Sequence, residues 1–222
     1  MVKLTNIAGV IPHIIAIAAL VIIAGSCSTS NPMHTVKTSH AKLHDSLLAD
    51  SDGNKYPVKV LLDGNLWMTA NLNLNIPGSY CYENAKKNCE RYGRLYTWES
   101  AQQGCKLVGE EWRLPSTGEW LQLTKLYGGI PADSNATRKE AYKALLYTGT
   151  SGFNAVLGGG RAPDGQYSRL EAHGFYWTLT QNDSTAWYSN FAKGSQALYQ
   201  QTDGEKTRAF SVRCVKSINS VK

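Results

Sequence analysis

The positions of five cysteines constrain this chain more than any other feature. Cys27 stands apart from the rest. It follows Lys3, an apolar run from Ile14 to Ala24, and the small residues Gly25 and Ser26. A basic start, a short apolar core and small residues before a cut make a secretory signal, here residues 1–26. A cysteine directly after them resembles a bacterial lipobox, with Ala24 where the commonest pattern has Leu, and the resemblance implies that Cys27 is diacylated and becomes the mature N-terminus. The rival is an uncleaved anchor helix. Pro12 and His13 leave it too short a clean apolar span for a membrane crossing of ~20 residues.

Export turns Cys81, Cys89, Cys105 and Cys214 into an even set in a compartment that permits disulfides. Four cysteines admit three pairings. Cys81 and Cys89 flank the polar segment "CYENAKKNC", which suits a local staple worth roughly 2–3 kcal/mol. Cys105 would then join Cys214, tying a central helix to the last strand, for roughly 4–5 kcal/mol in the chain-entropy account. A zinc site would want close C-x-x-C pairs, and the sequence has none.

Residues 27–50 are rich in Ser, Thr and His with little periodicity, and read as a tether to the membrane. His40 and His44 stand four apart within it, and solvated side chains explain them as well as a metal does. The texture turns globular from Ser51, giving one domain over 51–217 and a tail over 218–222. "PVKVLLDGNLWMTANL" predicts a hairpin about Asp63-Gly64-Asn65. Thr97 is placed to cap a helix over "WESAQQGC". "EEWRLPSTGEWLQL" predicts the next one: Ser116 and Glu119 form a capping box behind Pro115, and Trp120, Leu123 and Tyr127 supply the apolar stripe. A third helix is expected from Thr137 to Tyr147. Beyond Gly152 come strands, in "FNAVLGG", "FYWTLT", "AWYSNFA", "ALYQQ" and "AFSVRCV". The fold class is therefore α+β: an N-terminal hairpin, two to three helices and a C-terminal twisted antiparallel sheet.

The blocks "DGNKYPVKVLLDGNLWMTANLN", "YCYENAKKNCERYGRLYTWESA", "CKLVGEEWRLPSTGEWLQL", "GFNAVLGGGR" and "FSVRCVK" follow one another in the order seen in the Fibrobacter succinogenes major paralogous domain. The chain resembles that family over about residues 50–216. The family is itself similar to the C-type-lectin-like fold and to the formylglycine-generating sulfatase-modifying enzymes. The resemblance implies a single lectin-like domain, and it supports the Cys105–Cys214 and Cys81–Cys89 pairs.

Candidate chemistry is thin. An oxidase of the formylglycine-generating type needs a reactive cysteine pair, and Cys214 sits alone in an alternating strand pattern. Glu110, Glu111 and Glu119 resemble a carboxylate set for glycoside cleavage, but Glu119 is claimed by the helix cap. His173 has no evident partner in sequence. No enzyme activity, resident cofactor or metal site is expected. The calcium-binding motifs of sugar-binding lectins are missing, with only Asn182 and Asp183 before Trp187 as an echo that an Asx turn explains equally. The formal net charge of +6 comes without a Lys/Arg block, so no nucleic-acid partner is expected.

Recognition is the function left. On the lectin-like resemblance, a glycan or an envelope protein would be bound by the C-terminal sheet and its loops, through Tyr167, Tyr176, Tyr188, Asn190 and Tyr199. In "AWYSNFA" the alternation puts Trp187 and Phe191 on one face, expected to be core, and Tyr188 and Asn190 on the other, expected to be exposed. A lipid anchor places such a domain in the cell envelope, at the outer membrane, on either its periplasmic or its outer surface. The alternatives are a structural or accessory subunit of an outer-membrane complex and, third, the oxidase.

Overall fold

The computed structural model describes residues 47–128 and 135–218. The leader, Cys27, His40 and His44 lie outside the described residues, as do most of the expected tether and the end of the tail. Strand β1 (Leu47–Ala49) opens the described chain, so the last residues of the tether segment join the first sheet.

β1 pairs with β2 (Lys55–Val60), which pairs with β3 (Leu66–Met68), all antiparallel. The β2–β3 turn is the expected one: Asp63 accepts from the Asn65 amide and from Trp67 Nε1 at 2.9 Å. A two-stranded ribbon of β4 (Ser79–Tyr80) and β5 (Leu95–Tyr96) brackets a short 3-10 turn and helix α1 (Lys86–Tyr92). The Cys81–Cys89 disulfide closes that excursion. Helix α2 (Trp98–Leu107) begins after Thr97 as expected, but Thr97 donates to Ser100 Oγ instead of capping the backbone.

Helix α3 (Thr117–Leu126) carries the capping box in full. The Ser116 hydroxyl accepts from the Glu119 amide, and the Glu119 carboxylate accepts from the Ser116 amide at 2.8 Å. Helix α4 spans Asn135–Leu145, starting ahead of the expected Thr137 and ending ahead of Tyr147.

Five strands follow: β6 (Gly158–Arg161), β7 (Tyr167–Leu170), β8 (His173–Gln181), β9 (Thr185–Ala192) and β10 (Ala197–Glu205). They form a sheet in the order β10-β9-β8-β6-β7, antiparallel except for the β6–β8 contact. The short strand β11 (Val215–Lys216) pairs with β3 and so closes the first sheet.

"AFSVRCV" is not the simple alternating strand its sequence suggests. Residues 209–215 are all buried, and their hydrogen bonds go to a succession of different segments. Ala209 pairs with Arg161, Phe210 with Tyr96, and Ser211 with Tyr176. Val212 and Cys214 carbonyls accept from Leu72 and Met68 amides, each at 3.0 Å. Cys214 is bonded to Cys105 of α2, as expected. This thread stitches both sheets and the ribbon together.

Arg213, within the thread, is only 1% exposed. Its guanidinium donates to the carbonyls of Phe153 at 2.6 Å, Asn154 at 2.7 Å and Met68 at 3.1 Å, and to Asn71 Oδ1 at 2.6 Å. Four acceptors make this buried charge tolerable where an unpaired one would not be. Burial lowers its pKa to about 10, which leaves it charged at neutral pH.

Two apolar clusters flank the five-stranded sheet. Tyr176, Phe191 and Leu198 pack with Trp67, Trp120 and Phe153 on one side. Trp177 and Tyr188 pack with Tyr96, Trp98, Trp112 and Phe210 on the other. No described helix is long and apolar enough to cross a membrane.

Candidate functional site

Strand pairing sorts the sheet residues by face. Directly opposed residues share a face, so His173, Phe175 and Trp177 of β8 lie with Ala192, Asn190 and Tyr188 of β9. Tyr199 and Gln201 of β10 oppose Asn190 and Tyr188 and complete that face. The reverse face carries Tyr176, Ser189, Phe191 and Leu198.

The expected site residues separate accordingly. Tyr188, Asn190 and Tyr199 come together on one face. Tyr176 does not join them. It is fully buried on the reverse face, where its hydroxyl donates to the Val156 carbonyl at 2.8 Å. Tyr167 is on β7, its ring 5.1 Å from Tyr82 and its hydroxyl donating to Asn84. The expected exposure of Tyr188 and Asn190 is also corrected: they are 8% and 7% exposed. The reason is the second apolar cluster. Phe210 arrives from the thread and covers Tyr188, at 4.9 Å between ring centres, so β9 is buried on both faces. Phe191 fills the core as expected, while Trp187 is half-buried at the strand's start.

On this face a polar row crosses three strands, partly exposed at His173 and Gln201 and buried at Asn190 between them. His173 Nδ1 lies 2.9 Å from Asn190 Oδ1, and Asn190 Nδ2 donates to Gln201 Oε1 at 2.8 Å. His173 also stacks on Phe175 at 5.3 Å. The partner that its sequence position does not reveal is thus Asn190, two strands' worth of chain away. His173, Phe175, Tyr199 and Gln201 are all partly exposed.

Beside this row the sheet opens into a cleft of about 350 Å³. Its floor is aromatic, from Phe175, Tyr188 and Phe210. Gly160 of β6 makes room for that floor, since a Cβ there would come within 2.9 Å of the Phe210 ring. Arg161, Arg169, Arg208 and Asp203 also contribute to its lining, but the Arg161 guanidinium itself lies over the rings of Tyr80 and Tyr167. Asp203 accepts from the Tyr188 hydroxyl at 3.1 Å, and burial followed by this carboxylate pushes Tyr188 up to about 12. Sequence reasoning missed the arginines because β6, β7 and the residue before the thread deliver them separately. "GGGR" was the only visible hint, and it reads as framework.

A larger cavity of about 670 Å³ lies by α4, walled by Tyr142, Leu146, Tyr147 and Val156. Its charges engage one another: Arg91 pairs with Glu171 at 2.9 Å, and Tyr92 donates to the same carboxylate at 2.7 Å. The suspected carboxylate set is dispersed likewise. Glu119 is held by Arg113 at 2.7 and 2.8 Å, and Glu111 pairs with Lys216. Asn182 makes an Asx turn, its Oδ1 accepting from the Ser184 and Thr185 amides. Among the described residues, no group of three or more His, Cys, Asp or Glu is placed to hold a metal ion.

A family model described as the Fibrobacter succinogenes major domain matches residues 54–216. No curated protein and no solved structure matches the chain.

Proposed function

The chain belongs to the Fibrobacter succinogenes major domain family, and we propose that it is a non-catalytic lipoprotein of the cell envelope that recognises a glycan or a protein ligand. In this reading Cys27 carries the lipid, the outer membrane holds the anchor, and the open face of the five-stranded sheet meets the ligand. The kinship with lectin-like folds belongs to the same proposal. The observation that carries it is the His173–Asn190–Gln201 row, which orients hydrogen-bonding groups on the same face as the partly exposed Phe175 and Tyr199. Flat rings next to fixed amides suit the alternating C–H and hydroxyl faces of a sugar, and equally a polar protein surface. Against the oxidase, Cys214 is fully buried and disulfide-bonded.

A glycan array and an envelope pull-down, each run with wild type and with Tyr199→Ala/Gln201→Ala, test the reading. Binding that the double variant loses supports recognition by this face. Stable co-purification of an envelope assembly by both proteins would instead favour an accessory subunit using another surface. Labelling with palmitate, lost in Cys27→Ser, tests the anchor.

A further inference from the structure

We propose that the cavity of about 670 Å³ beside α4 is a second ligand site and takes a neutral saccharide. No residue of the His173–Asn190–Gln201 row lines it, so the inference goes beyond the reading above. Three residues of the lining meet head to head. The Glu171 carboxylate accepts from the Tyr92 hydroxyl at 2.7 Å and pairs with the Arg91 guanidinium at 2.9 Å, both through Oε1. Oε2 has no partner among the described residues. The Tyr92 hydrogen bond, and then the Arg91 charge, hold this carboxylate below its ordinary range, so it is an acceptor at neutral pH. Its backbone is fixed, with the Glu171 amide donating to the Leu157 carbonyl at 2.8 Å.

Two tyrosines extend the site. Tyr142 is only 5% exposed, yet its hydroxyl has no hydrogen-bond partner among the described residues. Nor is that hydroxyl sealed from solvent. A buried ring in a cavity wall, with its hydroxyl unpaired and unsealed, offers that group to whatever enters. Tyr147 also lines the cavity and is 64% exposed. Its amide donates to the Ala155 carbonyl at 2.8 Å, so this open ring is carried on tied backbone. An aromatic held that way is a ready stacking surface.

The same groups decide the ligand class. A carboxylate and a guanidinium in contact cancel in charge and still offer an acceptor beside donors. Hydroxyl groups, each both donor and acceptor, match such a pair, and they match the Tyr142 hydroxyl equally. Leu146, Val156 and Leu157 add apolar wall, which suits the C–H faces of a sugar ring. An acidic sugar would look to Lys193, the remaining charged residue of the lining, and would be opposed by Glu171. The volume falls in the usual range of small-ligand sites, ~300–1,000 Å³.

The test is calorimetric titration of the full chain with cellotetraose, mannotetraose, chitotetraose and, as the charged probe, tetragalacturonate. The expected result is binding of at least one neutral sugar, weakened about tenfold by Glu171→Gln and about fivefold by Tyr142→Phe and by Tyr147→Ala. Added salt should leave that binding unchanged, because the ligand carries no charge to screen. Tyr147 is exposed, so its variant keeps the fold and serves if another does not. Binding of none of the three neutral sugars, preference for tetragalacturonate, or steep loss in salt overturns the inference. So does neutral-sugar binding that Tyr199→Ala/Gln201→Ala abolishes and Tyr147→Ala leaves intact, which puts the sugar on the sheet face and leaves the recognition reading standing. Binding that the double variant retains and Tyr147→Ala weakens supports the cavity, even if the sheet face captures nothing.

Discussion

Glu119 shows how much a single carboxylate can hold together. It closes the α3 cap and takes both arms of Arg113, which also reaches Ser217 at 3.0 Å. Burial works to raise its pKa, but the hydrogen bonds from Arg113 and Ser116 outweigh it, and the net direction is down from the ordinary 4.5. A depressed carboxylate stabilises the fold fully above its unfolded pKa and ceases to as the pH falls through the folded value. Urea melts should therefore show wild type losing stability below pH 4.5, and Glu119→Gln losing less over the same interval. At pH 7, Glu119→Ala should cost on the order of 2–3 kcal/mol. Arg213 makes the opposite demand, a cation without a carboxylate. Lysine there would satisfy fewer of the four acceptors, so Arg213→Lys should cost about 3 kcal/mol in the same melts. The cap was legible in the sequence because Ser116 and Glu119 lie within one turn of each other. The Arg213 cage was not, since its acceptors come from two regions, Met68 with Asn71 and Phe153 with Asn154, 59 to 145 residues away.

At the scale of elements, the cysteine arithmetic and the strand alternation carried furthest. Both disulfides and the hairpin turn follow from local spacing or compartment. Strand β9 did not yield, because alternation assigns faces without saying what covers them. Tyr188 and Asn190 were placed correctly on one face and wrongly in solvent, since the covering ring is Phe210, over twenty residues later. The two disulfides differ in what they close: one spans 8 residues and the other 109. Replacing Cys105 and Cys214 together by Ala should lower unfolding free energy by about 4–5 kcal/mol, against roughly 2–3 for Cys81 and Cys89. Paired denaturation curves check the order, and the reverse order would show that strain or residual unfolded structure dominates.

The whole molecule leans on tyrosine. Seven of its twelve, Tyr56, Tyr92, Tyr96, Tyr127, Tyr142, Tyr176 and Tyr188, have pKa values raised above 10.0, each chiefly by burial. A raised pKa contributes stability that is complete below the unfolded value and is lost as the pH climbs through the folded one. The domain should therefore weaken steeply above pH 10, and ultraviolet difference spectra at pH 10.5 should show fewer ionised tyrosines in the native chain than in urea. Equal counts would place those rings in water. Such sensitivity is a property of the composition that no single residue conveys. The thread over 209–215 has a consequence of another kind, in time. Strands β3, β5, β6 and β8 all hydrogen-bond to residues 209–215, so the order of synthesis and the order of assembly run against each other. A chain emerging from the ribosome holds its hairpin, its helices and most of its strands before it holds the piece that joins them. Long-range closure of this sort is slow. Under the export proposed above, lateness is useful: the polypeptide stays pliable enough to be threaded through a narrow channel, and locks only when residues 209–215 arrive.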